Sequence, residues 1–167
     1  LPPLLSSAAG CGLSFSGAFM GQATKIGWVD HTYNTHWGCT RVVGSPACHA
    51  PCYAETFAKR TGHDIWGKTK PRRFFKEKHI REPFLWNMQA EKTGGRQRVF
   101  VNSMGDTFED RRDLDSIRDN LFDLMRRCGW LDFLLLTKRP EIACSYMNGY
   151  ADTNGVYRSE LWYGVAP

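Results

Sequence analysis

From Arg98 to Val165 short apolar runs alternate with helical periods, and this alternation constrains the fold more than any other feature of the chain. Arg98-Val99-Phe100-Val101-Asn102 is β-branched and aromatic, as a central strand requires, and a polar loop from Ser103 to Asp110 follows it. Leu114, Ile117, Leu121, Phe122, Leu124 and Met125 then recur at helical spacing, with Arg126 and Arg127 near the end and Gly129 where a C-cap is expected. Asp132 to Thr137 reads as a second buried strand, ended by Lys138-Arg139-Pro140. A short helix from Glu141 to Met147, a Gly- and Asn-containing loop and a strand over Leu161 to Val165 complete β-α-β-α-β. Strands alternating with helices predict an α/β fold with a parallel sheet and right-handed crossovers.

The length of 167 residues suits one domain, and 42% hydrophobic with 23% charged residues excludes a disordered or fibrous chain. No run approaches the roughly 18 apolar residues of a membrane span. Residues 1–19 lack a starting Met and any Lys or Arg, so they make a poor secretory signal; Met20-Gly21-Gln22 looks like a start, and the earlier residues read as a disordered leader or extension. One α/β domain is expected over 20–167. A parallel strand at the very end predicts that it is cut short at its C-terminus.

In such folds functional residues gather in the loops after the carboxyl ends of strands. Asn102 to Asp106 and Thr137 to Arg139 occupy those positions. The plainer alternative is that Asp106 and Asp110 cap the following helix and that Lys138 and Arg139 are solvated strand ends.

The net charge of +5 is regional. Residues 55–98 hold 12 Lys and Arg against 5 Asp and Glu, which leaves the rest of the chain slightly acidic. Trp66, Phe74, Phe75, Phe84 and Trp86 interleave there with Lys68, Lys70, Arg72, Arg73, Lys76, Lys78 and Arg81. Such a mixture can hold phosphates and stack bases, or form an ordinary solvated basic face over core aromatics.

Of six cysteines, Cys39, Cys48 and Cys52 lie within 14 positions as C-x8-C-x3-C, whereas Cys11, Cys128 and Cys144 are scattered. A secreted disulfide framework would spread its bridges through a small loop-rich chain; this pattern predicts a reducing, cytoplasmic compartment and a metal or redox cluster in a loop over 39–52. Gly44, Pro46 and Pro51 favour an irregular loop able to fold around a metal. Three thiolates suit an iron–sulfur cluster with one open iron; structural zinc needs a fourth donor such as His49 or His36. Inert buried thiols are the remaining alternative.

Six ordered motifs carry a resemblance: Lys25-Ile26-Gly27-Trp28, Trp37-Gly38-Cys39, Ser45-Pro46-Ala47-Cys48, Cys52-Tyr53-Ala54-Glu55, Phe100 to Phe108 and Leu136-Thr137-Lys138-Arg139-Pro140. From about Lys25 to Val165 the chain resembles an uncharacterised, phage-type family of three-cysteine-motif proteins, a domain of unknown function. That family is similar to a distant branch of the radical S-adenosylmethionine superfamily near spore photoproduct lyase. The resemblance implies a partial parallel (β/α) barrel of radical-enzyme type. It also implies a [4Fe–4S] cluster on Cys39, Cys48 and Cys52, whose open iron holds S-adenosylmethionine. Tyr53 would lie beside this cofactor, Asn102, Ser103 and Asp106 would hold its methionine or ribose part, and Lys138 would face its carboxylate or a substrate phosphate. Reductive cleavage of the sulfonium would yield a deoxyadenosyl radical, acting on nucleic acid or a nucleotide bound through 55–98, with an electron donor as partner. The competing expectation is a non-catalytic zinc module that binds nucleic acid.

Overall fold

A computed structural model describes residues 24–45, 48, 51–154 and 162–165; of 77, 78, 148–154 and 162–165 it describes the backbone. The residues 1–19, Cys11 and His49 that figure in the expectations above lie outside the described residues. The strands are β1 (His31–Tyr33), β2 (His36–Trp37), β3 (Arg73–Phe74), β4 (Gln97–Val101), β5 (Leu131–Thr137) and β6 (Trp162–Val165). The helices are α1 (Tyr53–Arg60), α2 (Glu77–Ile80), α3 (Glu82–Thr93), α4 (Asp115–Arg127) and α5 (Pro140–Asn154). The order β1-β4-β5-β6 makes one parallel sheet, and β2 and β3 form a two-stranded antiparallel ribbon. The architecture is mixed α/β with a small parallel sheet. A closed barrel needs about eight strands; the four described here stand in chain order, and among the described residues the sheet does not close.

Side chains alternate across a strand, so the sheet has two unlike faces. Tyr33, Val99, Val101, Phe133 and Leu135 are buried and pack with Trp86 and Ala90 of α3, with Leu121, Phe122, Leu124 and Met125 of α4, and with Ala143 and Met147 of α5. The opposite face carries Thr32, Phe100, Leu134 and Leu136, half-buried or exposed. The strand at Asp132 to Thr137, expected to be buried throughout, is therefore buried on its helix side alone.

Three boundaries differ from expectation for local reasons. Helix α4 ends at Cys128, whose amide donates to the carbonyls of Leu124 and Met125, so Gly129 is not its C-cap. Its N-cap is Leu114 without a side-chain bond, and Asp106 and Asp110 cap no helix. Helix α5 runs on to Asn154, because a single interior glycine, here Gly149, costs a helix about 1 kcal/mol and does not end it. Strand β1 and helix α3 escape the sequence patterns altogether. β1 is three residues long, two of them the polar His31 and Thr32. α3 buries a thin stripe of Pro83, Trp86 and Ala90 while leaving Leu85 and Met88 exposed, which blurs its period.

Among the described residues no helix is long and apolar enough to cross a membrane.

Candidate functional site

The cysteine loop hangs from a joint between two glycines. Gly38 has φ +116°, and a Cβ there would stand 2.4 Å from the carbonyl oxygen of Ile65. At Gly105 a Cβ would stand 2.7 Å from Nε2 of His36 and 3.1 Å from the Gly38 carbonyl. With no side chain at either place the two backbones bridge in parallel, and the Gly38 amide donates to Met104 O at 3.0 Å. The Trp37-Gly38-Cys39 and Ser103-Met104-Gly105-Asp106 motifs are thus two halves of one contact, which seats Cys39 against the loop after β4.

That loop is pinned from several sides. Asn102, at φ +53°, accepts from the amide and hydroxyl of Thr35 through Oδ1 (2.8 and 3.0 Å) and donates through Nδ2 to Thr107 at 2.8 Å. Ser103 donates its hydroxyl to Asn34 at 3.2 Å, and its carbonyl accepts from the Tyr53 hydroxyl. Buried Asp106 accepts from the Phe108 amide (3.0 Å), the Thr137 hydroxyl (2.9 Å), the Lys138 amide (3.4 Å) and Arg139 Nη1 (2.6 Å). Its carboxylate joins the loops after β4 and β5 and is filled by donors from within the chain.

Arg139 then reaches the cysteines: its Nη1 stands 3.9 Å from Cys39 Sγ, and its Nη2 donates to the Thr40 carbonyl. Burial pushes the Cys39 thiol up to about 12, with Asp106 adding to the rise and Arg139 opposing it. Cys39 thus stands as a thiol that must lose its proton to bind a metal. Cys48 Sγ accepts from the Val42 amide at 3.4 Å. Arg41 donates to the Cys48 carbonyl at 2.8 Å while paired with Glu55 at 2.7 Å, and Lys59 holds the other oxygen of Glu55. This clasp explains Glu55 in the Cys52-Tyr53-Ala54-Glu55 motif.

A further clamp lies beneath. The Arg72 side chain is fully buried and forms a two-pronged pair with Glu109, Nε to Oε2 at 2.9 Å and Nη2 to Oε1 at 2.6 Å; it also donates to Thr40 Oγ1 and to the Ile65 carbonyl. Burial works against the Glu109 charge, but donation from Arg72 and Thr40 outweighs it and holds the carboxyl below its usual range. Arg72 is accordingly a structural cation and not a phosphate contact. In the same basic segment Lys70 pairs with Asp64, and Trp86 is buried against His31 at 4.3 Å.

Cys39, Cys48, Cys52, Tyr53, Asn102, Ser103, Asp106 and Lys138 all line one open cavity of about 210 Å³ at the carboxyl ends of β4 and β5, floored by Phe100 and Leu136. His36 does not line it: the ring is buried, its Nδ1 faces Thr35 Oγ1, and burial lowers it to about 4. Among the described residues no three of His, Cys, Asp and Glu are arranged to hold one metal ion. Arg139 was marked with Thr137 and Lys138 by its place after β5 and inside a quoted motif, but without a role at the cysteines. Glu109 was missed, and the Arg72–Glu109 pair spans 37 positions with no local signal.

The family model described as a protein of unknown function (DUF5131) matches residues 23–166. No curated protein and no solved structure matches the chain. The match takes in the parallel sheet, the cysteine loop and the cavity between them, and the chain belongs to the DUF5131 family.

Proposed function

We propose that the protein is an iron–sulfur, S-adenosylmethionine-dependent radical enzyme acting on a nucleic acid or nucleotide. The observation that carries this reading is that Cys39, Cys48 and Cys52 line the same cavity as Tyr53, Asn102, Ser103, Asp106 and Lys138. The donor set also fits, since sulfur bound to a cluster accepts N–H donors, and Val42 and Arg139 offer one each to Cys48 and Cys39. When bound, such a cluster supplies the electron that splits the sulfonium of S-adenosylmethionine.

The chain's own residues then have distinct tasks. Arg139, held by Asp106, brings positive charge to the Cys39 sulfur and offsets part of the negative charge that three thiolates gather. Tyr53, tied to Ser103 and 62% exposed, stands at the rim, where its ring bounds the mouth of the cavity. Asn102 and Asp106 hold the loop through their side chains, so their part in cofactor binding would be to fix Ser103 and Lys138 on the cavity wall. The strand order, sequential across the sheet with the site at the carboxyl ends, matches part of a (β/α) barrel and supports that finer fold reading.

Anaerobic reconstitution with iron, sulfide and labelled S-adenosylmethionine tests this. The loaded protein should be brown, and with a reductant it should release methionine and deoxyadenosine. Cys39→Ala, Cys48→Ala or Cys52→Ala should each abolish iron and sulfide retention, whereas Cys128→Ala and Cys144→Ala should leave it intact. Full loading of the Cys48→Ala variant, or a colourless protein with tightly held zinc, would sink the proposal.

A further inference from the structure

Beside α1, two arginines bracket a pair of stacked aromatic rings. Arg60 lies over the Phe57 ring at 5.8 Å, Phe57 stacks on Trp37 at 5.5 Å with 28° between planes, and Arg73 lies over Trp37 at 5.5 Å. His63 meets Trp37 edge-on at 5.0 Å, and its Nε2 stands 3.0 Å from Arg73 Nη1. Both arginines are exposed, and among the described residues neither has a carboxylate partner. The acids nearest in sequence are already engaged, Glu55 by Arg41 and Lys59, and Asp64 by Lys70. Phe57 keeps 42% of its surface in solvent.

The ladder is continuous with the cavity. Tyr53, Phe57 and Arg60 follow at i, i+4 and i+7, which puts them on one face of α1. Tyr53 is also a wall of the cysteine cavity. A helix of eight residues is about 12 Å long, so the arginine end lies a short strand's reach from the thiols.

We propose that this face binds a single-stranded nucleic acid, with Arg60 and Arg73 on phosphates and a base on the exposed part of Phe57, and leads the strand towards the cavity at Tyr53. Guanidinium groups stacked on rings are held in place before a ligand arrives, so little freedom is lost when they meet a phosphate. An exposed ring in a row with two cations that have no carboxylate partner among the described residues suits an unstacked base, which a duplex hides and an acidic peptide lacks. This inference rests on the nucleic-acid half of the proposed function and is independent of the metal half.

The test is titration of the metal-free full chain with a fluorescein-labelled oligothymidylate of roughly 16 nucleotides at several salt concentrations. The Arg60→Gln, Arg73→Gln double variant should flatten the slope of log affinity against log salt by about 1.4, which is 0.7 for each phosphate on a single strand. Phe57→Ala should weaken binding at least about fivefold at fixed salt without changing the slope, and Phe57→Trp should restore it. Lys92→Gln on α3, an exposed cation outside the ladder, should change neither. The proposal is overturned if Lys92→Gln flattens the slope as much per charge as the double variant does. It is also overturned if Phe57→Trp and Phe57→Ala bind alike, or if polyglutamate competes as well as the oligonucleotide. Because metal-free protein is used, these outcomes leave the reconstitution test to stand or fall separately.

Discussion

Arg72 and Arg73 are neighbours in sequence and opposites in the fold. The Arg72 side chain is fully buried, filled by Glu109, Thr40 and the Ile65 carbonyl, and it holds up the cysteine loop; Arg73 is exposed on the Trp37 ring with no carboxylate partner among the described residues. Both count equally towards the basic charge of residues 55–98. The pair teaches that a local charge excess says nothing about which cations are available to a ligand: Arg72, just before β3, turns inward onto Glu109, whereas Arg73, the first residue of β3, lies over the Trp37 ring in solvent.

The comparison is broken most directly by substitution. Arg72→Gln leaves Glu109 buried without its cation and should cost about 3–5 kcal/mol in chemical denaturation; a loss below about 1 kcal/mol would mean that Arg72 is as dispensable as its neighbour. Acid should act through another buried group of the same region. His36 is neutral in the folded protein, lowered by burial to about 4, whereas in the unfolded chain it takes up a proton below about 6.5. Its contribution is therefore complete above about pH 6.5 and lost as pH falls towards 4, roughly 3 kcal/mol over that window. Denaturation at a series of pH values should show this slope, and His36→Gln should flatten it.

Asp106→Asn removes the charge partner of Arg139 and one acceptor of its four-donor set. A stability loss of about 1–3 kcal/mol is expected, together with weaker iron retention after reconstitution because Arg139 is no longer held at Cys39. Unchanged stability with weakened S-adenosylmethionine binding would instead show a carboxylate free for the cofactor. The smallest effect belongs to the exposed side: Arg73→Gln and Arg60→Gln should each change stability by no more than about 0.5 kcal/mol, and a larger loss would mean that the ladder is a packing device.

Legibility followed the range of the interactions. Strands β4 and β5 and helix α4 were readable because each carries its own apolar period, and the cysteine spacing was readable because Gly44, Pro46 and Pro51 mark a loop around it. Strand β1 was not, since three residues, two of them polar, become a strand only by pairing His31, Thr32 and Tyr33 with Val99, Phe100 and Val101. The helix-cap alternative for Asp106 failed because three of its four hydrogen-bond donors lie on another strand end, 31 to 33 positions away, and the fourth, the Phe108 amide, starts no helix. Asn102, Ser103 and Lys138 were marked by their place after β4 and β5, yet nothing local distinguished the asparagine that locks a left-handed turn from the lysine that lines the cavity.

By itself, the sequence determined the α/β class, the parallel order of its later strands and the three thiols on one loop, because periodicity and turn chemistry act over a few residues. Tertiary structure alone decided that the thiols share a cavity with the loops after β4 and β5, that Arg139 stands beside Cys39, and that Arg72 is buried while Arg73 faces solvent. Those outcomes depend on backbones meeting at Gly38 and Gly105 and on charges paired across dozens of residues, and such contacts exist only once the sheet has brought its strand ends together.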